Sequence, residues 1–100
     1  MEVREFFDTL ESRVDPSKMA GLNNSYLFEI EGAGVWKVDV IDGNVSVTEG
    51  GGDADATIRT SEETFRAIAS GEQNPTTAFM TGKLKIDGDM GAALKLQKLF

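Results

Sequence analysis

Between Tyr26 and Val47 apolar and polar residues alternate with a period of two, and no other feature limits the fold as tightly. Tyr26, Phe28 and Ile30 alternate with Leu27, Glu29 and Glu31. Trp36, Val38 and Val40 alternate with Val35, Lys37, Asp39 and Ile41, and Val45 and Val47 with Ser46 and Thr48. Gly32-Ala33-Gly34 is a short connection between the first two runs. Asp42-Gly43-Asn44 is a strong hairpin signal between the second and third. Three strands joined by tight turns predict an antiparallel meander with one wet face and one face to be covered. After the flexible loop Gly50-Gly51-Gly52, a fourth strand is expected from Ala54 to Thr60, with Ala54, Ala56 and Ile58 inward. A fifth is expected where Leu84 and Ile86 alternate with Lys83, Lys85 and Asp87.

The covering helices carry their own signals. In residues 2–14 an apolar stripe of Val3, Phe6, Phe7, Leu10 and Val14 follows helical spacing, and charged residues fill the other side. Asp15-Pro16 ends this helix or starts a short second one, with Ser17 to Leu22 making a turn or two. Thr60 and Glu63 form a capping box for a helix that runs to about Ser70, buries Phe65, Ile68 and Ala69, and stops at Gly71. Asn74-Pro75 starts another, Thr76 to Thr81, which presents Phe79 and Met80 and closes at Gly82. Asp87-Gly88 reads as a turn, and Asp89 as the cap of a closing helix that begins at Met90. Two helices between the fourth and fifth strands leave room for a parallel or crossover connection. The expectation is a single α+β domain over residues 1–100, a five-stranded mixed sheet with helices packed on one face.

The closing helix has more apolar surface than a sheet requires. At about 100° per residue, Gly91, Lys95 and Lys98 gather on one narrow side. Met90, Ala92, Ala93, Leu94, Leu96, Leu99 and Phe100 occupy the rest, an arc of roughly 220° and about twice the stripe of an ordinary surface helix. Gln97 sits inside that arc. One flank can lie on the protein's own core. The other calls for a second apolar surface: more protein, another chain, a membrane or a hydrophobic ligand.

Composition removes several alternatives. The net charge of −7 argues against nucleic acid, whose phosphates need a basic face. The charge is uneven, since residues 82–100 hold four lysines (Lys83, Lys85, Lys95, Lys98) against two aspartates. Those lysines are a solvated face or a weak attraction to an anionic lipid surface. With no His and no Cys, the common general base and the common nucleophile are missing. No Gly-x-Ser-x-Gly elbow occurs, so no catalytic residue is expected. Asp53 and Asp55 read as solvated loop acids, since further oxygen ligands are lacking at suitable spacing, and no metal is expected. The glycine triplet lacks the lysine of a phosphate loop, and no cofactor is expected. No apolar run approaches the ~18 residues of a membrane span, and the acidic N-terminus is not a secretory signal. The default expectation is a cytoplasmic protein.

Residues 74–100 carry a resemblance. Asn74-Pro75, Ala78-Phe79, Gly82-Lys83-Leu84-Lys85-Ile86, Gly88, Met90-Gly91 and Lys95-Leu96-Gln97 resemble the sterol carrier protein type 2 domain family. Ala54-Asp55-Ala56-Thr57-Ile58, Ser61 and Phe65-Ile68-Gly71 fit the same pattern. The resemblance implies a five-stranded sheet with an apolar tunnel between sheet and helices. It also implies binding and transfer of fatty acids, acyl-CoA esters, sterols and phospholipids, without catalysis. Carried over by position, it places a cavity near Phe79, Met80, Leu94 and Gln97; Phe65, Ile68, Met90 and Phe100 join by location. Taken singly, Phe65, Phe79, Met80 and Met90 are ordinary core residues; beside the over-wide helix they favour a pocket. Gln97 either satisfies a neighbouring backbone group or meets the carboxylate or carbonyl of a bound lipid. Two departures stand out. The connection at 32–34 is shorter than in many relatives. The chain also stops at Phe100, where eukaryotic relatives continue to a peroxisomal signal, so a peroxisomal location is not expected. The rival reading is an assembly module whose C-terminal helix packs on a partner subunit, on an enzyme, or on its own copy in a homodimer.

Overall fold

The computed structural model describes residues 2–13, 17, 21 and 23–95, with the side chains of Arg13, Ala93 and Leu94 outside the described set. The expected turns at 17–22 and the helix beyond Lys95 lie outside those residues, apart from Ser17 and Gly21.

The alternating segments become β1 (Asn24–Glu31), β2 (Gly34–Ile41) and β3 (Asn44–Glu49), an antiparallel meander. The tight turn between β2 and β3 places Asp42 at φ 49° and Gly43 at φ 84°. Both angles are positive, as a two-residue hairpin loop demands, and Asp and Gly tolerate them best. β4 (Ala56–Ser61) pairs in parallel with β1, and β5 (Leu84–Gly88) antiparallel with β4. The sheet order is β3-β2-β1-β4-β5, with the first strand at its centre.

One face of this sheet is apolar and covered. Tyr26, Phe28 and Ile30 lie beside Val38, Trp36 and Gly34 on β2 and beside Ala56, Ile58 and Thr60 on β4. Onto it α1 (Val3–Arg13) buries Val3, Phe6, Phe7 and Leu10, and α2 (Glu62–Ser70) buries Phe65 and Ile68. Phe7 stacks on Trp36 at 4.7 Å between centroids and on Phe65 at 5.3 Å. Phe6 meets Phe65 edge-on at 5.1 Å, so aromatic rings fill the β1–β2 half of the core. The remaining helices are α3 (Pro75–Met80), which packs on β5, and α4 (Met90–Leu94), which lies across β1, β4 and β5. Among the described residues no helix is long and apolar enough to cross a membrane.

Helix starts follow from side-chain oxygens. The Asn74 side chain accepts from the N–H groups of Thr76 (2.8 Å) and Thr77, with Pro75 in the first turn. Asp89 Oδ1 accepts from Gly91 (2.8 Å) and Ala92. The capping box expected at Thr60 does not form. Thr60 points into the core and donates its hydroxyl to the Lys83 carbonyl at 2.9 Å. Ser61, on the other face of β4, is left to accept from Thr64 N–H at 3.2 Å.

Three other expectations are corrected. β4 starts at Ala56, because Asp55 is held at the strand entrance by its N–H to the Ser25 carbonyl at 3.1 Å. The connection from β4 to β5 is neither parallel nor a crossover. Thr60 lies opposite Leu84, so two successive helices bring the chain back to the end of the sheet it left. Asp87-Gly88 is no turn. Both residues belong to β5, where Gly88 lies opposite Ala56. A Cβ at Gly88 would stand 2.5 Å from the Asp55 carbonyl oxygen, and its φ is +99°. Glycine is there for close backbone approach rather than for chain reversal.

Candidate functional site

The sheet and its helices make two unlike half-cores. On the β1–β2 side Phe6, Phe7, Phe28, Phe65 and Trp36 are in contact. On the β4–β5 side, under α3 and α4, the buried positions are aliphatic or small: Ile58 and Leu84 with Ala56, Ala78, Ala92 and Thr60. The residues expected to line a site are divided between the two halves, and Phe65 belongs to the aromatic cluster. Phe65 and Ile68 on α2 are buried. Phe79 and Met80 on α3 are exposed, at 38% and 79%, and Met90 at the start of α4 is 43% exposed. Ile68 also borders an open groove of about 390 Å³, lined further by Gln73, Asn74 and Pro75 where α2 passes into α3. The side chain of Leu94, and Gln97 and Phe100 entirely, lie outside the described residues. The structure thus buries Phe65 and Ile68 within the one hydrophobic core of the domain and leaves Phe79, Met80 and Met90 at the surface.

Sequence reasoning missed Tyr26. It is fully buried, and its hydroxyl donates to the Ala92 carbonyl at 2.6 Å, tying α4 to the central strand. The signal was available: a tyrosine at an inward strand position must find a partner for its hydroxyl. Burial pushes the phenol up to about 12, and the nearby Asp55 and Asp89 carboxylates add to the effect. The bond needs the protonated phenol. Since the folded-state pKa lies above the unfolded value of 10.0, this stabilisation is complete below pH 10 and is lost as pH climbs toward 12. Tyr26→Phe is expected to lower stability by about 1 kcal/mol at neutral pH and to flatten the alkaline fall. Urea titrations at pH 7 and pH 11 check both; an unchanged alkaline limb in the variant would remove Tyr26 as its cause.

The charged residues are arranged on the outer face. Arg59 holds Glu29 at 2.5 Å and Asp87 at 3.0 Å across three strands. Arg66 joins Glu2 and Glu62, and Arg4 grips Glu49 at 2.9 Å while lying over the Trp36 ring. These pairs are solvent-exposed and individually contribute little. Lys83, Lys85 and Lys95 are exposed, and Lys98 lies outside the described residues. Among the described residues no group of His, Cys, Asp or Glu could hold a metal ion.

A five-stranded mixed sheet of order β3-β2-β1-β4-β5 with its helices on one face defines the α+β class of the domain. Residues 5–100 match the SCP-2 sterol transfer family, and the chain belongs to it. Over 101 residues it is 37% identical to hydroxysteroid dehydrogenase-like protein 2 of Homo sapiens, covering 97% of this chain and 24% of that protein. Over 65 residues it is 48% identical to sterol carrier protein 2 of Homo sapiens, covering 64% of this chain and 12% of that protein. The chain thus spans about a quarter or less of the length of these relatives. The fold is that of SCP2L2 from Aedes aegypti, solved in its palmitated form, with a TM-score of 0.79 at 24% identity over 99% of this chain and 94% of that one. Membership places the chain among domains of lipid binding and transfer.

Proposed function

We propose that the chain is a non-catalytic carrier for long apolar molecules: fatty acids, acyl-CoA esters, sterol-like lipids or phospholipids. The ligand lies in an apolar tunnel on the β4–β5 side, between the sheet, α2, α3 and the C-terminal segment. The observation that carries this reading is the contrast between the two half-cores. Aromatic rings crowd one side, while the other, beneath α3 and α4, holds Ala56, Ala78 and Ala92 with the aliphatic Ile58 and Leu84 and no phenylalanine or tryptophan among its buried residues. Phe65, Ile68, Phe79, Met80, Met90, Leu94, Gln97 and Phe100 form its wall in this proposal, Met80 and Met90 adapting to guests of varied shape. The palmitate named for the Aedes relative supports an acyl chain as guest. Exposed Lys83, Lys85 and Lys95 support transient contact with anionic lipid surfaces during loading.

Burial of the acyl chain drives binding, at about 0.8 kcal/mol per methylene. Each added pair of methylenes should therefore tighten binding about tenfold until the site is filled. The test is organic extraction of the purified protein with mass spectrometry, followed by titration with fluorescent fatty acids of graded length. Saturable, length-dependent binding is expected, weakened about tenfold or more by Met90→Trp or Leu94→Trp at unchanged circular dichroism. No copurified lipid together with no saturable binding ends this reading.

A further inference from the structure

The two edges of the sheet are treated differently. At the β3 edge α1 intervenes: Glu11 Oε1 accepts from the Val47 N–H at 2.8 Å, and Arg4 clasps Glu49 with two hydrogen bonds. That edge is plugged. At the other end of the sheet β5 pairs with β4 alone among the described residues. Asp89 donates its N–H to the Asp55 carbonyl at 2.8 Å. In an antiparallel pair such contacts recur at every second residue, so Asp87 and Lys85 face β4 and Leu84 and Ile86 turn their N–H and C=O groups outward. Among the described residues, three of the four exposed large apolar side chains come from the segments next to β5: Phe79 and Met80 on α3, which packs on β5, and Met90, which follows it.

We infer that the open edge of β5 is a self-association surface, on which a second copy of this chain pairs antiparallel with Ile86 opposite Ile86. The charge pattern selects this occupant. In that register Lys85 lies opposite Asp87 of the second copy and Lys83 opposite Asp89, each contact occurring twice by symmetry. These are the non-hydrogen-bonded positions, where facing side chains come closest. Slipping the register so that Lys85 meets Lys85, or Asp87 meets Asp87, sets like charges against each other. The outward groups of Ile86 meet their symmetry mates in the favoured register, and the sheets join into one of ten strands. Asp87 already accepts from Arg59, so pairing extends a Glu29–Arg59–Asp87 chain to Lys85 of the second copy. This surface is a strand edge, distinct from the C-terminal helix, and it stands whether or not the chain carries lipid.

Sedimentation equilibrium across a wide concentration range tests it. Monomer–dimer exchange is expected, weakening with salt. Lys85→Glu alone and Asp87→Lys alone should each weaken self-association about tenfold or more, because two favourable pairs become two repulsive ones. Neither position is buried, so both variants should fold, and circular dichroism checks this. The decisive arm mixes the two variants, since their heterodimer restores opposite charges at both sites and should regain the wild-type association. A wild-type protein that stays monomeric, a dimer indifferent to either substitution, or a mixture no tighter than its components overturns the proposal.

Discussion

Phe7→Ala should cost about 3–5 kcal/mol. Phe7 is 1% exposed and lies at the centre of the aromatic half-core. It stacks on Trp36 and Phe65 and tilts against Phe28 at 5.2 Å. Truncation removes the transfer energy of the ring and leaves a cavity between α1 and the sheet that the flat, hydrogen-bonded strands cannot close. Total stability for a domain of this size is about 5–15 kcal/mol, so the variant should be marginal at physiological temperature. Trp36 reports the change directly: urea melts followed by its fluorescence should show the midpoint fall with the slope unchanged. A loss under about 1 kcal/mol would mean the stack tolerates collapse and is not the centre of the core.

Gly88→Ala is the second large effect, and it tests the β4–β5 half of the core. The added Cβ would meet the Asp55 carbonyl at 2.5 Å and the Ala56 Cα at 3.2 Å, both backbone atoms that cannot step aside. The φ of +99° adds strain for any L side chain. Together these predict a loss of about 2–4 kcal/mol. Gly82→Ala is the control: its φ is +80°, but nothing lies within 4 Å of the added atom, so strain alone remains and the loss should be about 1 kcal/mol. Thermal denaturation compares the two. Gly88→Ala should also weaken fatty-acid binding, because the Asp89–Asp55 bond that starts α4 is the next contact along the chain. Equal losses at the two glycines would show that close approach at Gly88 is not the issue.

Much of this was legible in the residues. The alternation from Tyr26 to Val40 appears as alternating burial along β1 and β2, because a strand with one covered face has no other way to place its apolar side chains. Asn74-Pro75 and Asp89 start helices as read, since side-chain caps act within three residues. What failed depended on partners far away in sequence. Thr60 looked like a cap but was claimed by the Lys83 carbonyl. Asp87-Gly88 looked like a turn because nothing local announces that Asp55 will press against the glycine. The family membership was legible from the C-terminal motifs, and residues 5–100 bear it out. Of the residues on α2, Phe65 and Ile68 read as buried and are buried. Tyr26 escaped because strand alternation identifies inward positions without distinguishing a hydroxyl from a methyl group.

The parallel pairing of β1 with β4 also sets an order of assembly. The meander forms from neighbours a few residues apart, whereas the centre of the sheet waits for a strand some thirty positions later, and α4 must then find the hydroxyl of Tyr26 across 66 residues. Local contacts form early and distant ones late. The meander can therefore pair before Phe65 on α2 arrives to complete the aromatic cluster and before α4 covers the β4–β5 half.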